Sequence, residues 1–433
     1  MSTQFNEINM LNLKFIQDNP ELVIEKLKRK NFDATLIVEQ IGELYRQKNK
    51  LQVQAEQSKA EMNKISGEVG QLMREGKKAE ADVAKARTSE LKESIKQFDL
   101  DFAVIEEQVY QLQVQLPNLP HDSVPNGKGA ADNEIVKRQG EIPTLPENAL
   151  PHWELAAKYN IIDFELGVKL TGAGFPVYRG KGAQLQRALI NFFLAEASKA
   201  GYEEIQPPLM VNEASGFGTG QLPDKEGQMY HATIDNLYLI PTAEVPVTNI
   251  YRDVILEAKN LPYKNTAYSA CFRREAGSYG KDVRGLNRLH QFDKVEIVQI
   301  AHPDKSYETL EDMVKHVTTL VEKLELPYRI LRLCGGDMSF TSALTYDFEV
   351  FSAAQKMWLE VSSVSNFESF QASRLKLRYR DELTKKPQLA HTLNGSALAL
   401  PRIVAALLEN NQIPEGIKIP KVLVPYCGFE LIN

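Results

Sequence analysis

The sequence is poor in cysteine and lacks any long apolar run. Its three cysteines, Cys271, Cys334 and Cys427, lie far apart and are odd in number, which fits a reducing compartment, the cytoplasm, better than a disulfide framework. No run of about 18 apolar residues occurs, and residues 1–30 are mixed polar and charged, so the sequence predicts neither a membrane span nor an export signal. Neither the cysteines nor the seven scattered histidines have the spacing of a structural zinc site.

The common phosphate-binding loops are also missing. The sequence contains no Walker A loop, no dinucleotide GxGxxG after a strand, and no HxGH or KMSKS element, so any nucleotide must be held by individual side chains. The formal net charge of −6 argues against a globally basic nucleic-acid-binding protein, although it leaves room for one local basic surface. The 433 residues are enough for two or three domains, and 43% hydrophobic with 25% charged residues is typical of a folded globular protein.

Proline is absent from residues 37–116, where the apolar residues follow a heptad pattern. One apolar series covers residues 37–72, and a more regular one covers residues 91–116. The pattern is lost between them, around Gly76, so the sequence predicts two antiparallel helices joined by a turn. Each helix would have about 35 to 40 residues and a length of roughly 55 to 60 Å. Because two packed helices form only a marginal core, we expect the hairpin to project from the rest of the protein and not to serve as a packed core.

The distal half of this hairpin is basic, although the whole chain is acidic. Residues 46–96 contain twelve lysines and arginines and eight aspartates and glutamates. The basic side chains lie outside the apolar seam, where they are suited to the phosphates of a nucleic acid. Periodicity and charge alone leave two other interpretations open, a dimerisation coiled coil and an ordinary solvated helix surface. The candidate phosphate-contacting residues are Arg46, Lys50, Lys59, Lys77 and Lys78.

A change in composition marks a domain boundary after the hairpin. Residues 117–151 collect six prolines and several glycines, which indicates a linker. From His152 onward, helical patterns alternate with short strand-like runs, and the strands come in consecutive groups, which is typical of an α+β domain. The sequence therefore predicts an N-terminal helical hairpin at residues 1–116, a linker at 117–151 and a mixed domain at 152–433.

The strongest chemical signal lies in residues 271–296. Arg273 and Glu275 are two apart on a predicted strand and so point the same way. Arg273 offers a planar fork for carboxylate or phosphate oxygens, and Glu275 can accept from an exocyclic amine. A loop rich in glycine and basic residues, including Arg284, leads on to Phe292, whose ring can stack on a purine. An isolated Arg-x-Glu strand is usually a surface pair, so the specificity comes from the whole block.

This block resembles motif 2 of the class II aminoacyl-tRNA synthetases, and in particular the form FRxEAGSYGxDxRGLxRxHQFDKVE found in seryl-tRNA synthetases. The predicted motif 2 covers residues 267–297. Residues 185–208, which end in two prolines, resemble motif 1, and residues 391–410 resemble motif 3. Residues 241–244 (PTAE) resemble the TxE loop, and residues 360–363 (EVSS) resemble the EISS-type strand of the same family.

The resemblance implies a fold, an activity and partners. The implied fold is α+β, with the class II synthetase antiparallel sheet flanked by helices and an N-terminal antiparallel helical-hairpin (coiled-coil) arm that grips the long variable arm of the serine tRNA. The implied reaction is ATP-dependent activation of L-serine to seryl-adenylate and transfer to tRNA(Ser), with tRNA(Sec) as a further candidate. Mg²⁺ accompanies ATP as a cofactor, and dimerisation through motif 1 implies a homodimer.

The resemblance also assigns roles to residues. The implied catalytic residues are Arg273, Arg402 and Glu360, of which the two arginines contact phosphates and Arg273 also contacts the serine carboxylate. The implied ATP-binding residues are Arg273, Arg274, Glu275, Phe292, Glu360, Val361, Ser362, Ser363 and Arg402. The implied serine-binding residues are Thr242, Ala243, Glu244, Arg273, Glu296, Asn394 and Ser396. Glu360 and Ser363 are the implied Mg²⁺ ligands, and Arg284 joins the five basic hairpin residues as a tRNA contact.

Two other functions use the same residues. A ligase that loads an amino acid onto a carrier protein would share the ATP motifs, but it should have no use for a basic helical arm. A catalytically silent tRNA-binding homologue need keep none of the ligand-contacting side chains, yet Arg273, Glu296 and Arg402 are all present. Both observations favour the synthetase.

Deletion of residues 46–96 is expected to preserve adenylate formation and to abolish tRNA charging, because the basic half of the hairpin would contact only the tRNA. The measurement is serine-dependent ATP–pyrophosphate exchange beside aminoacylation of purified tRNA, with the full-length chain as the control. If the shortened chain still charged tRNA at the full rate, the role assigned to the hairpin would be wrong.

Overall fold

The computed structural model describes residues 13–224, 227–274 and 284–433. The α-helices are α1 (Leu13–Asp18), α2 (Pro20–Arg29), α3 (Thr35–Arg74), α4 (Lys78–Gln113), α5 (His152–Lys158), α6 (Phe164–Leu170), α7 (Gly180–Lys199), α8 (Glu213–Thr219), α9 (Glu244–Asn249), α10 (Ser306–Lys323), α11 (Ser369–Leu375), α12 (Leu400–Asn410) and α13 (Val424–Cys427). The β-strands are β1 (Glu134–Gln139), β2 (Ile162–Asp163), β3 (Val177–Tyr178), β4 (Glu203–Glu204), β5 (Met210–Asn212), β6 (His231–Ala232), β7 (Leu237–Leu239), β8 (Ile255–Glu257), β9 (Tyr263–Phe272), β10 (Gln291–Ala301), β11 (Tyr328–Arg332), β12 (Leu344–Ser352), β13 (Met357–Asn366), β14 (Arg378–Arg380), β15 (Pro387–Leu389), β16 (His391–Ala399), β17 (Gln412–Ile413), β18 (Gly416–Lys418) and β19 (Leu431–Ile432).

The chain divides into two compact units, and residues 11–28 and 32–117 form the helical one. Its long helices α3 and α4 have 40 and 36 residues, and they pack against each other as the predicted hairpin. The predicted apolar seam is the buried side of both helices, as Ile41 on α3 and Leu91 and Val109 on α4 illustrate. Gly76 has φ +77°, a left-handed conformation that glycine adopts without steric cost, and it ends α3 where the heptad pattern is lost.

The second unit contains residues 29–31 and 118–433 of the described chain, and it is built around one large sheet. In the described residues, the strand order is β1-β11-β12-β13-β16-β10-β9-β4. All neighbours are antiparallel except β4 and β9, which pair in parallel. The predicted antiparallel sheet flanked by helices is therefore present. Residues 117–151, predicted as a linker, contribute β1 to the edge of this sheet, because their proline-free stretch pairs with β11.

Three helices, α7, α10 and α12, pack against one face of the sheet. Phe192 of α7, Leu320 of α10 and Ile403 of α12 are buried in the same apolar core as Val295 and Ile297 of β10. Side chains alternate across a strand, so Glu296, which lies between these two residues of β10, points to the opposite face of the sheet. The packing of the core thus determines which side chains of β10 face away from the core.

An irregularity in β13 changes the alternation at one point. Phe348 of β12 is paired with Ser362, whereas the next residue of β12, Glu349, is paired with Glu360, so Val361 is an extra residue in β13. Such a β-bulge re-aims the side chains on either side of it. Glu360 and Ser363 are three residues apart and would point to opposite faces of a regular strand, but the bulge turns them to the same face.

None of the helices in the described parts of the chain combines the length and the apolar character that a crossing of the bilayer requires.

Candidate active site

Strands β13, β16 and β10 are neighbours in the main sheet, and their side chains border a cavity of about 590 Å³. Arg273 directly follows β9, and Arg402 lies in the first turn of α12, so segments that are distant in sequence meet at this cavity. Most residues assigned from the resemblance line it. They are Thr242, Glu244, Arg273, Phe292, Glu296, Glu360, Val361, Ser362, Ser363, Asn394, Ser396 and Arg402.

Of the residues assigned to ATP or serine, three are not among the lining residues of the described chain. Ala243 is fully buried in an apolar cluster with Val247 and Ala267, because α9 turns it away from its two neighbours in the TxE-like loop. Arg274 is exposed, and its backbone N–H donates to the Gln228 carbonyl at 2.9 Å. Glu275 lies outside the described residues.

A connected set of polar side chains, named here the glutamate group, lies at one part of the cavity, and all of its members except Gln371 line it. Its members are Thr242, Glu244, Lys294, Glu296, Gln371 and Asn394, and all six are buried. Thr242 donates its hydroxyl to Glu296 Oε2 at 3.1 Å, and Lys294 Nζ lies 2.8 Å from the same oxygen. Gln371 Nε2 donates to Glu244 Oε1 at 2.6 Å, and the Asn394 side chain hydrogen-bonds the same carboxylate. These contacts hold two carboxylates in fixed positions within one buried site.

The two carboxylates of the glutamate group influence each other. Burial, and then the negative charge of Glu296, raise the pKa of Glu244 to about 7. Hydrogen bonds from Gln371 and Asn394 and the charge of Lys294 lower this pKa, but they offset only part of the effect. Near neutral pH, Glu244 is therefore present in both protonation states, and it can donate or accept a hydrogen bond.

The cavity also contains two placed guanidinium groups. Arg402 Nε donates to the Asn287 carbonyl at 3.0 Å, and its Nη1 donates to the Glu360 carbonyl at 2.8 Å. Its Nη1 also lies 3.7 Å from Glu360 Oε2. The guanidinium carbon of Arg273 lies 5.3 Å from the centre of the Phe292 ring, within the range of a cation–π contact. Fixed, permanently charged groups of this kind suit phosphate and carboxylate oxygens.

A set of oxygen donors lies on the part of the sheet shaped by the β13 bulge. Asp347 is paired with Ser363 across β12 and β13, and the Ser363 hydroxyl hydrogen-bonds its carboxylate. Burial, and then the charge of Glu360, raise the pKa of Asp347 well above its ordinary value. Asp347 Oδ1 is buried and has no hydrogen-bond partner. Hard divalent cations prefer such oxygen ligands, although no group of three or more His, Cys, Asp or Glu side chains in the described residues has a metal-binding arrangement.

None of the basic residues assigned to tRNA is among the described residues that line this cavity. Arg46, Lys50 and Lys59 are exposed on α3 of the helical unit. Lys77 Nζ lies 2.9 Å from Glu75 in the turn of the hairpin, and the neighbouring Lys78 begins α4 and is exposed. In the other unit, Arg284 lies over the Trp153 ring at 4.8 Å and borders a second cavity of about 770 Å³.

The structure adds residues that motif matching did not assign. Lys294 could have been found, because it is two residues from Glu296 on the same strand and must share its face. Gln371 of α11 and Asp347 of β12 lie outside the matched blocks. Their roles depend on long-range contacts, and no local sequence signal indicates them.

Comparison with known proteins identifies the class. Residues 230–411 match the family model described as the tRNA synthetase class II core domain (G, H, P, S and T). Residues 10–120 match the model described as the seryl-tRNA synthetase N-terminal domain. The fold is that of a class II aminoacyl-tRNA synthetase.

Individual relatives narrow the class to one family. A serine–tRNA ligase from Salinibacter ruber is 50% identical over 98% of this chain and 99% of its own length. A crystal structure of seryl-tRNA synthetase from Pyrococcus horikoshii complexed with ATP has a TM-score of 0.93 at 32% identity, covering 98% of this chain and 99% of that one. A cytoplasmic serine–tRNA ligase from Naegleria fowleri in complex with AMP has a TM-score of 0.88 at 26% identity, covering 99% and 98%. The chain belongs to the seryl-tRNA synthetase family, which confirms the predicted family, fold class and enzyme class.

The raised pKa of Glu244 predicts how stability depends on pH. Below a pH of about 4.5 the residue is protonated in the folded and unfolded chain, so it has no effect. Between there and about pH 7 the unfolded chain has released a proton that the folded chain retains, so stability decreases as pH rises, by about 1 to 3 kcal/mol in total. Glu244→Gln removes this penalty, so relative to the unchanged chain the variant should gain stability between about pH 5 and pH 8.

The measurement is the apparent melting temperature of both chains across this pH series. Glu382→Gln is the matched control, because Glu382 is exposed. A difference between Glu244→Gln and the unchanged chain that stayed constant across the series would contradict the raised pKa.

Proposed function

We propose that this chain activates L-serine with ATP to seryl-adenylate and then transfers serine to tRNA(Ser), with tRNA(Sec) as a further candidate acceptor. The observation that carries the proposal is that one cavity contains guanidinium groups suited to phosphates and a buried acidic site suited to an amino acid. A ligase that loads a carrier protein would need the same cavity but no basic helical arm, and in this chain residues 46–96, within α3, the turn and α4, contain twelve lysines and arginines and eight aspartates and glutamates.

In the first step, a carboxylate oxygen of serine attacks the α-phosphorus of ATP, the bond from that phosphorus to the bridging oxygen breaks, and pyrophosphate leaves. Two anions must approach each other, and negative charge develops on the phosphoryl oxygens. Placed cations stabilise that charge without further rearrangement. We assign Arg273 to the α-phosphate and the serine carboxylate, and Arg402 to the distal phosphates. The attacking carboxylate is already ionised, so the step needs no general base.

The glutamate group supplies the site for serine. We assign Glu296 to the ammonium group, with Thr242 holding the carboxylate of Glu296 in place by the 3.1 Å hydrogen bond. Glu244, with its pKa near neutrality, is suited to the serine hydroxyl, because it can donate to or accept from that group. Alanine would leave these buried polar groups unpaired, and such a mismatch can lower the rate by roughly 10⁴-fold or more. Asn394 and Ser396 complete the lining of the site.

The assigned ATP side of the cavity suits Mg²⁺. Glu360 and Ser363 are the proposed ligands, and the unpartnered Oδ1 of Asp347 beside Ser363 fits a nearby divalent cation. When bound with ATP, Mg²⁺ neutralises phosphate charge. Phe292 offers a face for the adenine base, on the side of the cavity that Arg273 also borders. The ATP complex of the relative from Pyrococcus horikoshii supports ATP as the nucleotide.

Transfer to tRNA is the second step, in which a 3′-terminal hydroxyl oxygen of the tRNA attacks the seryl carbonyl and AMP leaves. The basic residues Arg46, Lys50, Lys59, Lys77 and Lys78 are the proposed phosphate contacts of the arm, and Arg284 is the proposed contact near the acceptor end. A homodimer is proposed from the resemblance of residues 185–208 to motif 1, which covers much of α7 and all of β4. The cytoplasm is the proposed location, and the three unpaired cysteines fit it.

The proposal is tested by ATP–pyrophosphate exchange with each of the twenty amino acids in turn. Exchange is expected with serine, and threonine and alanine serve as the near-matched controls, because they differ from serine by one methyl group and one hydroxyl group. A chain that exchanged best with another amino acid, or with none, would overturn the proposal.

Arg273→Ala is expected to lower serine-dependent exchange by about 10²- to 10³-fold, because it removes a cation placed at the developing charge. Arg273→Lys keeps a positive charge but loses the planar fork, so its loss should be intermediate. The melting temperatures of both variants should lie within a few degrees of that of the unchanged chain, because Arg273 borders the open cavity. An Arg273→Ala chain with the full exchange rate would remove Arg273 from the mechanism.

A further inference from the structure

A fully buried ionisable pair lies outside the residues assigned so far. His152 begins α5 and Glu409 lies near the end of α12, and both side chains are 0% exposed. His152 Nδ1 lies 2.7 Å from Glu409 Oε1, and the backbone N–H of His152 donates to the same oxygen at 2.9 Å. Ser352 donates its hydroxyl to the other carboxylate oxygen. A buried carboxylate is stable only with such a complete set of donors, so this pair is a built feature of the core.

The second ring nitrogen of His152, Nε2, contacts the backbone of a segment that lines the cavity. The backbone N–H of Leu286 donates to His152 Nε2 at 2.8 Å. Nε2 is therefore an acceptor, which places the proton on Nδ1, where it is donated to Glu409. Gly285 has φ +66°, and a Cβ atom there would come within 2.2 Å of His152 Nε2. The close approach of this backbone to the imidazole ring thus requires glycine at 285.

The same contacts continue to the arginine that borders the cavity. Leu286 and Asn287 line the cavity, and the Asn287 carbonyl accepts the 3.0 Å hydrogen bond from Arg402 Nε. Asn287 Nδ2 donates to Gln355 Oε1 at 2.8 Å, and Gln355 Nε2 donates to Glu409 Oε1 at 2.9 Å. Helix α12 carries both Arg402 and Glu409, so the hydrogen bonds form a closed circuit that starts and ends on one helix.

We infer that His152 is a positioning residue for the ATP side of the cavity, which it orders by fixing the backbone at Leu286 and Asn287 and, through Asn287, the guanidinium group of Arg402. The inference rests on the proposed function, because it takes Arg402 as a phosphate contact. None of the circuit's hydrogen bonds involves the glutamate group. The imidazole therefore acts on the binding of ATP and leaves the binding of serine unchanged.

Two substitutions of His152 each keep only one of the two hydrogen bonds that the imidazole ring makes. The amide of His152→Asn is placed like Nδ1, so it can still donate to Glu409 but cannot reach the Leu286 N–H. The amide oxygen of His152→Gln is placed like Nε2, so it can still accept from Leu286 while Glu409 loses a donor. His152→Asn should therefore raise the KM for ATP by roughly three- to tenfold, with the KM for serine unchanged within about twofold. His152→Gln should instead lower the melting temperature and keep the KM for ATP close to that of the unchanged chain.

The experiment measures both KM values by pyrophosphate exchange, the Kd for ATP alone by calorimetry, and the melting temperature. His316→Asn is the control, because His316 is a half-buried histidine that lies on α10 outside the circuit and outside the cavity lining. A merely structural role of His152 would reduce stability and active fraction, and it would leave the KM for ATP unchanged.

The inference is overturned if His152→Asn leaves the KM and Kd for ATP unchanged, if both KM values rise equally, or if His316→Asn gives the same rise. Should His152→Asn not fold, Gly285→Ala tests the same hydrogen bond from the other side, because a Cβ atom there would come within 2.2 Å of His152 Nε2, and an unchanged Kd for ATP there overturns the inference. An unchanged chain that binds ATP but shows no serine-dependent exchange overturns the proposed function alone, because the Kd for ATP still tests His152.

Discussion

The alternation of side chains along β10 is the constraint on which the cavity depends. Val295 and Ile297 are anchored in the core beneath three helices, so Lys294 and Glu296 must face the opposite side of the sheet. A slip of one residue in the pairing of β10 would place both charges in the apolar core. Because burial of an isolated charge costs several kcal/mol or more, the core and the cavity specify the same register.

In the glutamate group, side chains of both charges lie close together, and more than one part of the fold holds them in place. Glu244 and Glu296 come from α9 and β10, and neither can move away from the other because Gln371 and Thr242 hold them. Burial and then the negative charge of Glu296 raise the pKa of Glu244 to about 7, so this one carboxyl group retains its proton in part of the molecules near neutral pH. Lys294 offsets part of the negative charge of Glu296, and the ammonium group of a ligand would add a second positive charge beside the two carboxylates. This electrostatic arrangement supports the proposed preference of the site for an amino acid.

The parts of the fold with local, periodic signals could be predicted closely from the sequence. The heptad pattern over residues 37–72 lies inside α3, and the pattern over residues 91–116 follows α4 and continues three residues past its end, because a seam between two helices repeats at fixed spacing. Motif resemblance then assigned twelve of the residues that line the cavity. Gln371 and His152 could not be predicted, because each acts on a partner that only the folded chain brings near, in one case 127 residues away. Ala243 illustrates the opposite case, since it lies inside a matched motif but its side chain faces the core.

The extra residue in β13 allows two residues at an odd separation to point in the same direction. Along a regular strand, two side chains share a face only at even separations, because the strand repeats every two residues. Glu360 and Ser363 are separated by an odd number, and only the additional residue between them gives them a common direction. Loss or gain of a single residue in this short stretch would therefore separate the two oxygen donors without changing either one.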